Sequence, residues 1–271
     1  MSITLERVSL VHPNGCRAIN AVSCTIGVGE RVAIIGPSGA GKTTLLRLLA
    51  TGLRPTSGSI ELLGLDPWRL GRRGLRRLRS RIGMVHQAPP IPPRQRAITA
   101  VLAGRLGQWP LWKALASLAY PMDIDGATRV LARMEIGDKV FERCDRLSGG
   151  QLQRVSVARV LYQQPGLILT DEPVSAMDPS LSNRVIGELN GEAIARGVTL
   201  VASLHAVDLA LHWFPRIIGM RAGEIVFDLP PVRITDRMLT DLYASESAVP
   251  TQDYQPIDVP AAGIRRKPLC Y

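Results

Sequence analysis

No part of this chain approaches the roughly 18 or more consecutive apolar residues that a membrane-crossing helix needs. Its most hydrophobic segment, Leu111 to Tyr120, is too short and carries Lys113. No secretory leader is expected either, since Met1 to Leu10 alternates like a strand and carries Glu6 and Arg7. Cysteine is sparse. Cys16, Cys24, Cys144 and Cys270 form no Cys-x-x-Cys pair and have no histidine nearby, so they read as reduced thiols of a cytoplasmic protein. Aromatics make up only 4% of the residues, and none interrupts the arginine-rich run from Arg69 to Arg81. That run therefore lacks the stacking platforms of a single-strand nucleic-acid binder. The net charge of +10, to which Arg265-Arg266-Lys267 adds, reads as a solvated helix face or one near anionic lipid headgroups. It identifies no partner, and no nucleic acid is expected.

What is present is a globular composition: 46% apolar residues in a chain of 271, enough for one large domain or one domain with an insertion. Three regions follow one another. Up to about His86, strands are expected at Ile3–Leu10, Ala21–Ile26, Arg31–Ile35 and Ser59–Leu63, with a helix at Lys42–Ala50 and turns at Gly27, Gly29, Gly52, Pro55 and Gly58. From Ala88 to about Tyr162 strand signals vanish, and helices are expected at Thr99–Leu106, Trp112–Leu118 and Gly126–Met134, then from Gln153 to Tyr162. Beyond Gly166 the alternation resumes: strand Leu167–Thr170, helix Leu181–Ala195, strand Val198–Ser203, helix Val207–Trp213, and the strand pair Arg216–Met220 and Glu224–Asp228. The pattern is a mixed α/β core with an all-helical insertion. Nothing periodic marks the residues after Ala244, and the form of the basic Arg69–Arg81 segment stays open.

Three motifs carry chemistry. Gly36-Pro37-Ser38-Gly39-Ala40-Gly41-Lys42-Thr43, followed by Thr44, fits the Gly-x-x-x-x-Gly-Lys-Ser/Thr phosphate loop between an apolar strand and an apolar helix. Its backbone N–H groups suit phosphates, Lys42 the outer phosphates, and the Thr43 hydroxyl Mg²⁺. Leu167-Ile168-Leu169-Thr170-Asp171-Glu172 is a buried strand ending in two acids, where parallel sheets bind ligands. Asp171 is expected to hold Mg²⁺ through water. Glu172, pointing elsewhere on an extended backbone, is the candidate for orienting and deprotonating the attacking water. The third motif, Leu147-Ser148-Gly149-Gly150-Gln151, opens a helix and offers a second anion-binding helix start.

Together these residues resemble the ATP-binding subunit of an ABC transporter, over Ile3 to about Tyr243. The resemblance implies an α/β P-loop NTPase core, a mixed sheet with flanking helices plus a small antiparallel β part, and an inserted helical subdomain. The corresponding boundaries are 1–244 for the ATPase domain (core 1–87 and 164–230, helical part about 88–163) and 245–271 for a tail. It also implies that Ser148, Gly149, Gly150 and Gln151 form the signature that closes on the partner chain's ATP. Gln87 would sense Mg²⁺, Ser175 and Asp178 belong to a dimer-contact loop, and His205 contacts the γ-phosphate. His12 stands where the family usually has an adenine-stacking tyrosine, before Pro13-Asn14-Gly15. One motif set and no internal repeat imply a homodimer; a separate membrane permease, an extracytoplasmic binding protein and a place on the cytoplasmic face of the inner membrane follow from the family.

Val101–Gly107 followed by Trp112, and Leu204–Leu211 followed by Phe214–Ile218, are similar to phosphonate importer ATPases. That likeness implies phosphonate, phosphite or hypophosphite as cargo. A methionine or polar amino-acid importer, and a soluble ABC ATPase acting on nucleic acid, stand as alternatives.

Overall fold

A computed structural model describes residues 2–119 and 121–244; the expected tail, 245–271, lies outside them. The chain begins with β1 (Ile3–Val11), β2 (Arg17–Ile26), β3 (Arg31–Ile35), α1 (Lys42–Leu49), β4 (Ser57–Leu62), α2 (Arg72–Ser80) and β5 (Ile82–Val85). Helices α3 (Ala97–Leu102), α4 (Leu111–Ala119), α5 (Ile124–Arg133) and α6 (Gly149–Gln163) come next. Then follow β6 (Leu167–Asp171), α7 (Pro179–Arg196), β7 (Thr199–Ser203), α8 (Val207–Trp213), β8 (Arg216–Arg221), β9 (Glu224–Leu229) and α9 (Asp236–Tyr243).

A three-stranded antiparallel sheet runs β2-β1-β4, and a six-stranded sheet runs β5-β6-β7-β3-β8-β9, parallel except for β9. Between β5 and β6 the described residues form only helices and turns, apart from a lone bridge between Arg96 and Arg143. The central strands are near-continuous apolar runs because both faces of a parallel sheet are covered. Alternate residues serve two cores. Ala33, Ile35, Ile168, Leu200 and Ala202 face the helices α3, α5, α6 and α7. Val32, Ile34, Leu167, Leu169 and Val201 face α1 and the small sheet. This packing brings the carboxyl ends of β3, β6 and β7 level, with Ile34 and Asp171 both in register with Ser203.

Several element bounds differ from the periodicity. Strand β2 starts at Arg17, not Ala21, because Ala21 takes a left-handed φ of 46° and its N–H donates to Ser9 Oγ across a register shift. That irregularity breaks the alternation a sequence reading relies on. The helix expected at Thr99–Leu106 ends at Leu102 and tightens to a 3₁₀ turn at Ala103–Arg105. The open segment 69–81 resolves as α2, of which only Leu78 is buried. Helix α6 starts at Gly149, four residues before Gln153, because Ser148 caps it.

Candidate nucleotide site

The phosphate loop leaves β3 at Gly36 and enters α1 after Gly41. Both glycines have left-handed φ, 149° and 101°. A Cβ on Gly36 would lie 2.1 Å from the Met220 carbonyl oxygen, and one on Gly41 2.6 Å from that of Ala18, so neither position accepts a side chain. Lys42 is buried beneath the loop, its Nζ donating to the carbonyls of Gly36 (2.6 Å) and Pro37 (3.0 Å).

Beside the loop, the parallel register of β6 and β7 sets Asp171 against Ser203. Thr43 Oγ1 donates to Asp171 Oδ1 at 3.0 Å, and Ser203 Oγ donates to the same oxygen at 2.8 Å. One carboxylate oxygen thus accepts from two hydroxyls at once. Glu172 corrects the sequence reading: its backbone is not extended but left-handed, φ 48°. The chain turns out of the sheet there, and the Glu172 N–H donates to both the carbonyl (3.2 Å) and the Oγ (3.1 Å) of Ser203. The turn aims the carboxylate at two partners. Gln87 Nε2 donates to Glu172 Oε2 at 2.7 Å, and His205 Nε2 lies 2.6 Å from Glu172 Oε1. The Glu172 side chain is 9% exposed and that of His205 48%. Next to Gln87, burial holds the His86 imidazole below its ordinary 6.5, against the opposing pull of Asp171.

A groove of about 390 Å³ collects Ser38, Gly39, Ala40, Gly41, Lys42, Thr43 and Thr44 with His12, Gln87, Glu172 and His205. Arg17 and Ala18 also line it, from the start of β2 that the periodicity missed. Ser148–Gln151 does not line this groove. It forms a capping box at α6: Ser148 Oγ accepts from the Gln151 N–H (3.2 Å), and Gln151 Oε1 accepts from the Ser148 N–H (2.9 Å). Gly150 lies against the loop after β6, where an added Cβ would be 2.9 Å from the Ala176 carbonyl oxygen. In that loop Ser175 donates through its backbone N–H and its hydroxyl to the Glu172 carbonyl, and Asp178 Oδ1 caps α7 by accepting from the Leu181 N–H. The residue that sequence reasoning overlooked is Ser203. Its only signal was a polar residue closing the apolar run Leu200–Ala202, two places before His205.

The family described as ABC transporter matches residues 19–175. Phosphonates import ATP-binding protein PhnC 1 of Cupriavidus necator is 62% identical over 264 residues, covering 97% of this chain and 94% of its own. PhnC 2 of Pseudomonas aeruginosa is 62% identical over 246 residues, or 91% of this chain and 92% of its own. Among solved structures, the dimeric post-hydrolysis state of the ATP-binding cassette MJ0796 bound to ADP and Pi aligns with a TM-score of 0.75 at 26% identity. The alignment covers 84% of this chain and 98% of that one. With a match spanning the phosphate loop, the signature and both acids, and relatives similar over nearly its whole length, this chain belongs to the ABC transporter family as an ATP-binding cassette.

Proposed function

We propose that this chain hydrolyses ATP to drive import of phosphonate or a related reduced-phosphorus oxyanion, phosphite or hypophosphite. The observation that carries the proposal is the convergence of Lys42, Gln87, Glu172 and His205 on one groove at the strand ends. The cargo rests on the 62% identity to phosphonate import ATP-binding proteins.

In this reading the loop N–H groups and the start of α1 cradle the phosphates, and Lys42 exchanges its two carbonyl partners for the outer phosphates. His12 flanks the base. The adjacent hydroxyl of Thr43 and carboxylate of Asp171, 3.0 Å apart, are hard oxygen donors that fit Mg²⁺ and would hold it together with the Gln87 side chain, Asp171 through water. When bound, Mg²⁺ neutralises charge on the outer phosphate oxygens. Glu172 orients the attacking water and takes its proton, while His205, within reach of that carboxylate, meets the γ-phosphate.

The site is shared between two copies of the chain. Ser148, Gly149 and Gly150 of one close on the nucleotide held by the other, with Ser175 and Asp178 at the contact between them. Residues 1–87 and 164–230 serve as the nucleotide-binding core, and 88–163 as the part that meets a membrane permease. No helix among the described residues is long and apolar enough to cross a membrane. In this reading the chain works peripherally, on the cytoplasmic face of the inner membrane, and an extracytoplasmic binding protein delivers cargo to the permease.

The test is ATPase activity of the subunit with its permease in liposomes, adding binding protein loaded with methylphosphonate or phosphite. Stimulation by either supports the assignment. Stimulation by methionine alone keeps the motor and overturns the cargo.

A further inference from the structure

We propose that Ser203 is a positioning residue for ATP hydrolysis, its single hydroxyl locking Asp171 and Glu172 into one geometry. The inference rests on the roles given above to those two acids. Ser203 is fully buried at the end of β7, in register with Asp171. Its Oγ donates to Asp171 Oδ1 (2.8 Å) and accepts from the Glu172 N–H (3.1 Å). One oxygen therefore ties the side chain of one acid to the main chain of the next.

The second tie matters because Glu172 sits at φ 48°, a conformation an L residue adopts only when its surroundings hold it there. The side-chain end is held by Gln87 and His205, both of which must move to meet nucleotide in the proposed mechanism. Ser203 holds the backbone end and belongs to the rigid sheet. It can keep Glu172 aimed while the side-chain partners are exchanged. The Ser203 carbonyl shares the same N–H at 3.2 Å, but that bond alone fixes nothing about Asp171. Only the hydroxyl joins the two.

A buried hydroxyl in this sheet does not find a partner as a matter of course. Thr170, equally buried and one residue before Asp171, has an Oγ1 with no hydrogen-bond partner. It serves as an internal control. Removing the Thr170 hydroxyl as Thr170→Val keeps shape and takes away no bond, whereas Ser203→Ala takes away two.

The experiment measures kcat, KM for ATP and Tm of the full chain in its permease complex, for Ser203→Ala, Ser203→Val, Ser203→Thr and Thr170→Val. Ser203→Ala and Ser203→Val are expected to lower kcat about tenfold or more with KM for ATP within about threefold, the pattern of an interaction used only in the transition state. Ser203→Thr should return kcat to within about threefold of wild type, and Thr170→Val should leave it unchanged. Wild-type kcat in Ser203→Ala overturns the inference. So does a Ser203→Thr as defective as Ser203→Val, or failure of both apolar variants to fold, which would assign Ser203 to the fold alone. Glu172→Gln separates the two levels. If it keeps turnover, the reading of Glu172 fails; if it is inactive while Ser203→Ala is active, only the role of Ser203 falls.

Discussion

Glu172→Gln keeps the length and planarity of the side chain and removes its charge, so it isolates the proton transfer. Both carboxylate oxygens have partners, Oε2 accepting from Gln87 Nε2 and Oε1 facing His205 Nε2. A glutamine can keep one acceptor toward His205. Its NH₂ then faces the Gln87 amide, which presents its own oxygen after a half-turn. The local bonds survive as neutral ones, each weaker by about 1 kcal/mol than its charge-assisted form. Together the two weakened bonds correspond to a Tm decrease of roughly 4–8 °C in a domain of this size. The catalytic effect is far larger. Loss of a general base removes about 10²–10⁴ in rate, or roughly 3–5 kcal/mol of transition-state stabilisation. ATP affinity should stay within about threefold, because Glu172 does not carry the phosphates in the ground state. The assay pairs phosphate release at saturating ATP with nucleotide binding by fluorescence and with size-exclusion chromatography, where an ATP-bound dimer should accumulate. Turnover within about threefold of wild type would refute the assignment. A loss of turnover matched by an equal loss of affinity would place Glu172 in binding instead.

Lys42→Ala removes the charge beneath the phosphate loop and should weaken ATP binding by about a hundredfold or more, the scale of a lost charge-assisted contact to phosphate; an unchanged Kd by calorimetry contradicts the loop's role. Ser148→Arg should leave ATP affinity within about threefold yet abolish turnover and the nucleotide-dependent dimer. It also costs about 1 kcal/mol of helix capping, and a fully active variant would contradict a shared site. His86 supplies a pH test. Its folded pKa lies below the unfolded 6.5, so the unfolded chain binds more protons in that range. Stability from this group is present above pH 6.5 and is lost as pH falls through the folded value. Thermal melts should decline from pH 7.5 to 5.5, and His86→Gln should flatten part of that decline; identical slopes would exclude His86 as a source.

The phosphate loop and the acidic strand end were legible because both are local. Gly36, Lys42 and Asp171 lie next to buried strands whose apolar runs announce themselves, and Asp171 needs only the end of β6 to be placed. Gln87 and His205 were implied only by the resemblance to the family, and what unites them here is their common contact with Glu172, which no local pattern contains. Where a residue's conformation answers to a distant strand, legibility stopped. The left-handed backbone of Glu172 depends on Ser203, 31 positions later. The start of β2 was hidden by Ala21, whose unusual φ is supported by Ser9 in another strand. Helix α2 was hidden for a compositional reason. A nine-residue segment with five arginines buries only Leu78, leaving too few apolar points to display a helical period.

The capping box at Ser148 has a consequence for how fast two copies could engage. A serine on a loose loop samples three rotamers and would have to surrender that freedom on meeting a phosphate. Here the Ser148 oxygen is held by the Gln151 N–H and the Ser148 backbone by the Gln151 side chain, so that loss has been taken during folding. The hydroxyl proton donates to nothing among the described residues and stays available to an anion. Encounter then resembles docking onto a rigid surface more than folding around a ligand, with little ordering left to slow association.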